Sequence, residues 1–237
     1  MFCISDSEPV NQLLTALPKQ EYQNLVPHLK EVQLSLGQVL YEPGEVIKYV
    51  YFPNRGMVSI VSLLESGSTT EVGMVGKDGI VGYSVFLGGG FTTHRAIVQI
   101  EDTAMKIDAE VLKTEFNRGG VLQKLLLLYT QALLTQISQT AACNSQHPLN
   151  ERLARWLLTA HDCVCSNYLS LTQEFIANML GTRRSGVTVA AGKLQHEGII
   201  SYYRGKITIL NREALEASAC ECYGVVRNEF KRLLDTK

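Results

Sequence analysis

The stretch Leu171-Thr-Gln-Glu-Phe-Ile-Ala-Asn-Met-Leu-Gly181-Thr-Arg-Arg-Ser-Gly-Val-Thr-Val-Ala-Ala-Gly-Lys-Leu194 decides how the rest of the chain is read. Thr172 suits a helix N-cap, because a hydroxyl there accepts one of the amide hydrogens that a first turn leaves unpaired. Gln173 and Glu174 fill that turn, and the Glu174 carboxylate complements the positive end of the helix dipole. Phe175, Ile176, Met179 and Leu180 supply a buried stripe. Gly181 stops the helix, since a tight turn often requires a positive φ. Thr182 is then expected to cap a second helix whose inward face is Val187, Ala190, Ala191 and Leu194. Two short helices around a glycine turn describe a helix-turn-helix over residues 172–194.

The outward residues of this segment suit a polyanion. Arg183, Arg184, Ser185 and Thr188 lie in the N-terminal part of the second helix. A guanidinium can donate two hydrogen bonds to O6 and N7 of guanine in the major groove, and hydroxyls can read base edges or phosphates. Thr172 and Gln173 are placed to anchor on the nucleic-acid backbone. Further on, Ile199-Ile-Ser-Tyr-Tyr-Arg-Gly-Lys-Ile-Thr-Ile-Leu210 alternates about Arg204-Gly205-Lys206. This predicts a two-stranded wing, with Arg204 and Lys206 at its tip as phosphate contacts. The competing reading is a three-helix packing unit that touches no nucleic acid.

Upstream, Pro148 marks a boundary, because the residue before a proline avoids the α region. Asn150 is expected to cap a helix over residues 150–162, apolar at Leu153, Trp156, Leu157 and Ala160. From Gly120 the pattern is helical again. Leu122, Leu126, Tyr129, Leu133, Gln136 and Thr140 follow the alternating spacing of a heptad seam, and Leu127, Leu134, Ile137 and Ala141 form a second face. A helix apolar on two sides needs two partners. Leu122, Leu126, Tyr129 and Leu133 are assigned to a contact between two subunits, the alternative being a helix buried inside a monomer.

Before that helix the texture is different. Apolar runs at 39–41, 49–52, 57–64, 71–75, 95–100 and 104–107 are separated by glycine turns, which indicates a β-barrel or β-roll. Gly88-Gly89-Gly90 reads as a mobile loop, with a backbone cradle for an anion as the sharper alternative. Val10, Leu13, Leu14 and Leu17 have helical spacing, and Pro18 suits the first turn of a next helix.

The bulk numbers agree with this layout. A chain of 237 residues, 46% hydrophobic and 19% charged, can bury a sizeable core. The net charge of −1 conceals an asymmetry: residues 1–147 carry 10 Lys/Arg against 14 Asp/Glu, and residues 148–237 carry 12 against 9. A mildly basic C-terminal part fits a polyanion-binding module. No run is long and apolar enough for a transmembrane helix. The first residues, with Asp6 and Glu8, lack the form of a secretory signal, so a cytoplasmic location is expected. The six cysteines, Cys3, Cys143, Cys163, Cys165, Cys220 and Cys222, form no disulfide framework and are read as free thiols. The pairs Cys163-Val-Cys165 and Cys220-Glu-Cys222, with His161, are the sharper alternative, but their spacing is not that of common zinc motifs, and no metal site is assigned.

The order of these parts resembles the CRP/FNR family of bacterial transcription regulators. Leu36-Gly-Gln-Val-Leu-Tyr-Glu-Pro-Gly-Glu-Val-Ile-Lys-Tyr-Val-Tyr-Phe-Pro-Asn-Arg-Gly56-Met-Val is similar to the opening of that family's cyclic-nucleotide-binding-like β-roll. The long helix resembles its dimerisation helix, and residues 171–210 resemble its winged helix. The resemblance implies an α+β fold divided into a β-roll sensor over 1–119, a dimerisation helix over 120–147 and a DNA-binding winged helix-turn-helix over 148–237. It implies a homodimer on double-stranded DNA with inverted half-sites, no membrane partner, and RNA polymerase and a small-molecule effector as further candidate partners. The alternative is a ligand-binding or protein-interaction module whose winged helix no longer binds DNA. No catalytic motif is present, so an enzyme is not expected.

The family's residues carry over unevenly. Of an Arg-Glu pair and a later Arg that read DNA in some relatives, the first corresponds to Arg184, while Ser185 and Val189 stand at the other two places. A cyclic-nucleotide pocket needs a Gly-Glu pair and a phosphate-binding Arg. Here Gly76-Lys-Asp-Gly-Ile-Val-Gly82 lacks the pair, leaving Asp78 and Gly79, and the Arg place falls on His94 or Arg95. These four form the candidate effector pocket, and cyclic AMP is not the expected ligand. No iron–sulfur signature is present, since Cys3 is the one cysteine near the N-terminus, and no haem signature is found around His28 or His94.

Overall fold

The computed structural model describes residues 11–234. Val10, Cys3, Asp6 and Glu8 lie outside them. The described residues open with two short helices, α1 (Gln12–Thr15) and α2 (Lys19–Leu25). Asn11 joins α1 to the rest of the protein. Its side-chain oxygen caps the Leu13 and Leu14 amides, and its amide donates to Pro53 O and Gly79 O, both at 2.9 Å. Pro18 sits at the N-cap of α2, one place before the first turn expected for it.

Among the described residues seven strands form the roll: β1 (Lys30–Leu34), β2 (Val39–Tyr41), β3 (Tyr49–Pro53), β4 (Met57–Leu63), β5 (Thr69–Val75), β6 (Arg95–Ile100) and β7 (Asp102–Asp108). They make two antiparallel sheets, ordered β1-β7-β3 and β2-β6-β4-β5. Alternation along each strand sends one set of side chains into the space between the sheets. Leu34, Val50, Phe52, Val58, Ile60, Val81, Ala96, Val98 and Ile107 fill it, each almost wholly buried. β1 has no counterpart among the apolar runs, because Lys30-Glu-Val-Gln-Leu34 carries only two apolar residues and lies at a sheet edge.

Helix α3 (Ala109–Asn117) follows, capped by Asp108, and buries Leu112 and Phe116 against the roll. The long helix α4 runs Gly120–Gln146, and α5 spans Leu149–Val164. Pro148, not Asn150, occupies the N-cap of α5, so Asn150 lies inside the helix and caps nothing. A proline needs no amide partner and reaches the helix directly from extended backbone.

The C-terminal part comprises β8 (Tyr168–Ser170), α6 (Gln173–Met179), α7 (Arg184–His196), β9 (Ile200–Tyr203), β10 (Lys206–Ile209), α8 (Arg212–Ala217) and α9 (Cys222–Leu234). The wing has three strands, ordered β8-β10-β9, where two were expected. Only Leu169 of β8 points inward, too little alternation to mark a strand. The core of this part, around Trp156, Leu157, Ile176, Leu194 and Ile207, also takes in Met57, Val61 and Met74 from the outer face of the four-stranded sheet. The roll and the winged helix therefore share a buried seam. α9 turns back along α4, where Phe230 meets Tyr129 edge-on at 6.3 Å. Among the described residues no helix is long and apolar enough to cross a membrane.

Candidate nucleic-acid interface

The helix-turn-helix forms by the local rules its sequence contains. Thr172 Oγ1 accepts from the Phe175 amide at 3.2 Å. Gly181 adopts φ +59°, and the Thr182 amide turns back to Ala177 O at 2.9 Å, the closing bond of a Schellman turn. That bond holds Thr182 inside the turn, so Arg183 occupies the N-cap of α7 and no side chain caps it. Thr182 is thus not the cap it was expected to be.

Val187, Ala190, Ala191 and Leu194 bury the inner face of α7. The opposite face presents Arg184, Ser185, Thr188, Val189, Lys193 and His196, all exposed, with Val189 at 74%. Thr188 donates to Gln173 Oε1 at 2.8 Å and so ties the start of α6 to α7. The amide oxygen of Gln173 is thereby engaged, and its two N–H donors remain for a partner.

The wing closes this surface on one side. Arg204 (φ +48°) and Gly205 (φ +78°) form a two-residue turn with both residues left-handed, the geometry that matches strand twist in a tight hairpin. The Arg204 guanidinium lies 5.1 Å from the centre of the Tyr203 ring, and Lys206 is exposed beside it. Tyr202 anchors the wing to the helices through its hydroxyl, which donates to Leu171 O at 2.8 Å. Thr172, Gln173, Arg184 and Arg204 converge on one open cleft of about 510 Å3. Residues far apart in the chain, on α6, α7 and the wing, therefore face one space.

The comparisons with known proteins agree with this geometry. A model of the cyclic nucleotide-binding domain matches residues 31–118, and a model of the Crp-like helix-turn-helix domain matches residues 151–218. The chain belongs to the CRP/FNR family of transcription regulators. It is 21% identical to the global nitrogen regulator of Synechococcus elongatus over 196 residues, 77% of this chain and 86% of that protein. It is 23% identical to the fumarate and nitrate reduction regulatory protein of Salmonella typhi, over 84% of this chain and 81% of that one. Among solved structures, FixK2 from Bradyrhizobium japonicum superposes with a TM-score of 0.70 at 19% identity, covering 81% of this chain and 98% of that one. A CRP-family regulator from Thermus thermophilus superposes at 0.67 with 20% identity, covering 79% and 96%.

In this CRP/FNR-family chain the candidate effector residues do not form one pocket. Asp78 faces a cleft with Lys77, Asp162, Cys163 and Cys165, and burial raises its carboxyl above the usual range. Gly79 packs on Tyr129 of α4: a Cβ there would stand 2.8 Å from the phenol oxygen. Arg95 lies on a different cleft and is held by Glu42 Oε2 at 2.8 Å. His94 pairs locally with Thr92 at 3.3 Å, and burial lowers its pKa. Asp78 and Gly79 sit where α4 and α5 press against the roll, whereas Arg95 begins β6 and His94 directly precedes it. The spacing in sequence concealed this separation. The triple glycine is not an open cradle either, because the Gly89 and Gly90 amides both donate to Ser84 O.

The four residues assigned to a subunit contact are buried in the chain's own core. Leu122, Leu126, Tyr129 and Leu133 pack between the roll and α4, with Tyr129 donating to Ile80 O at 3.3 Å. The face left open is the other apolar one, with Leu127 47% and Leu134 58% exposed. Heptad spacing identifies faces but not which partner each meets.

The cysteine pairs also separate. Cys163 is buried against Gly76, where a Cβ would come within 2.6 Å, and Cys165 contacts the Lys77 amine. His161 is engaged by Asn167, at 2.8 Å, and by Arg212. Cys220 and Cys222 instead meet Cys143 and His147 at the end of α4. The absence of a common zinc spacing concealed that group, because its two halves, Cys143 with His147 and Cys220 with Cys222, are separated by more than 70 residues of chain.

Proposed function

We propose that this chain is a homodimeric, sequence-specific DNA-binding transcription regulator that seats α7 in the major groove. The observation that carries the reading is the exposed face of α7, with Arg184 at its first turn and the cationic wing tip beside it. Arg184 is suited to a bidentate contact with guanine, and Val189 offers methyl groups to a thymine methyl. Gln173, Thr172, Arg204 and Lys206 are phosphate contacts that set register. Because Ser185 and Val189 replace an acid and an arginine found in some relatives, the half-site differs from theirs.

The second copy meets the open face of α4. Lys124, Leu127, Gln131, Leu134, Ser138 and Ala141 are all exposed and follow heptad spacing along the helix. Two-fold pairing along this stripe would present two α7 helices to half-sites about 34 Å apart. The roll does not take cyclic AMP in this reading, since Glu42 already neutralises Arg95 and Asp78 lies on another cleft.

Selection of bound sequences from random duplexes by the full-length protein tests this. The expected result is an inverted repeat whose affinity falls about 10- to 100-fold with Arg184→Ala, with relaxed preference at one base pair per half-site. Recovery of no enriched sequence, or an unchanged preference in Arg184→Ala, overturns the reading.

A further inference from the structure

Cys143 lies in the last turn of α4 and His147 is its C-cap, with the His147 amide donating to Cys143 O at 3.1 Å. Cys220 and Cys222 lie at the junction between α8 and α9. The fold brings one ligand atom from each of the four to within 4.8 Å of all the others. Cys143 Sγ stands 3.5 Å from Cys220 Sγ, and Cys222 Sγ stands 3.5 Å from His147 Nδ1. Two thiolates bound to one tetrahedral zinc at about 2.3 Å are separated by about 3.8 Å, so these two pairs already stand near the required spacing, and closure of the group by up to about 1 Å would admit the ion.

We propose that Cys143, His147, Cys220 and Cys222 bind one zinc ion in a closed Cys3His site. Three protein thiolates and one imidazole complete a tetrahedron and leave no place for water or substrate, which is the form of a structural site. Binding transfers the three thiol protons to solvent.

The surroundings match what such a centre requires. Cys143, Cys220 and Cys222 are buried as a group of their own, apart from the two apolar cores. His147 presents Nδ1 to the cluster while its Nε2 lies 3.3 Å from Glu221 Oε1, the carboxylate–histidine arrangement that orients a metal-bound ring. Gln139 Nε2 donates to Cys222 Sγ at 3.2 Å. Zinc with three thiolates carries a net charge of −1, and the buried Arg155 guanidinium lies against Cys143 to offset it.

An iron–sulfur cube fits less well, since its thiolates must span a whole cluster and not a single ion. A Cys143–Cys220 disulfide would use two of the four residues and leave the placement of His147 and Cys222 unexplained.

The site lies where three helices meet. His147 directly precedes Pro148, where the chain passes from α4 into α5, and Cys222 starts α9. One ion would pin the last helix to the junction between the long helix and the C-terminal domain.

The test uses the full-length protein purified under reducing conditions without added metal. Elemental analysis should find about one zinc per chain, falling below about a fifth in Cys143→Ser, Cys222→Ser and His147→Gln, and unchanged in Cys163→Ser and Cys165→Ser. Cobalt(II) titrated into metal-stripped wild-type protein should saturate at about one equivalent, with thiolate-to-metal charge-transfer absorption and the intense visible bands of a tetrahedral ion. This second measurement is independent of whether the variants fold. Wild-type protein that binds no zinc and gives no such cobalt spectrum overturns the proposal. So do bound iron with inorganic sulfide, a Cys143–Cys220 disulfide in the reduced preparation, or zinc retained by all three ligand variants.

Discussion

Trp156 Nε1 donates a 2.7 Å hydrogen bond to Glu71 Oε1 across the seam between the β-roll and the C-terminal domain. Glu71 also accepts from Ser59 Oγ, on the neighbouring strand. The carboxyl is buried, and desolvation raises its pKa to about 7 against the attraction of these two donors and of Arg155. A side chain able to titrate near neutrality thus sits inside the contact that joins the two halves of the molecule.

The first prediction concerns pH. Glu71 has a folded-state pKa near 7, above its ordinary value of 4.5, so the folded protein holds an extra proton between these values. Its contribution to stability is complete below the lower value, falls as pH rises through the window, and levels off above about 7. The full span is roughly 3 kcal/mol, at about 1.4 kcal/mol per unit. Glu71→Gln keeps an acceptor for Trp156 and does not titrate. Urea unfolding at a series of pH values should show that the variant lacks this fall, and an identical pH profile in both proteins contradicts the assignment.

A second prediction concerns the same seam at Gly76. A Cβ at this position would meet the Cβ and Sγ of Cys163 at 2.6 Å and its Cα at 2.8 Å. Backbone cannot yield as a flexible side chain does, so Gly76→Ala should force α5 away from the roll. The expected cost is at least 1–3 kcal/mol, typical of overpacking. Limited proteolysis should reveal faster cutting between α4 and α5 than in the parent protein.

The two apolar faces of α4 should respond in opposite ways. Leu126 is wholly buried against the roll, and Leu126→Ala should lower stability by about 2–5 kcal/mol. Leu127→Glu with Leu134→Glu should leave the unfolding transition within about 0.5 kcal/mol of the parent's, corrected for protein concentration. Sedimentation equilibrium should show the double variant as a monomer, with weakened operator binding. A dimer that survives these two charges places the subunit contact elsewhere.

The wing predicts a salt effect. If Arg204 and Lys206 contact phosphates, replacing both with alanine should weaken binding similarly on all sequences. It should also reduce the slope of log affinity against log salt by about 2. Arg184→Ala should instead alter base preference. Measuring both variants over a range of salt separates positioning from reading.

Much of this molecule is legible in local chemistry. The cap at Thr172, the left-handed glycine at 181 and the inward stripe of α7 are decided by neighbours within a few residues. The alternating strands of the roll and the tight turn at Arg204-Gly205 are legible for the same reason. The less visible elements were those with weak local signals. β1 and β8 are short and polar, and α3 shows only its Asp108 cap and the pair Leu112 and Phe116.

The sequence by itself determined the order of β-roll, long helix and winged helix, the family and the residues that line the exposed face of α7, because periodicity and caps act over short distances. Tertiary structure alone decided which apolar face of α4 enters the core, since both faces have heptad spacing and only the roll selects between them. It also divided Asp78 and Gly79 from His94 and Arg95, and it gathered Cys143, His147, Cys220 and Cys222. Those relationships depend on how distant segments pack, and no local pattern records the partner that a side chain meets.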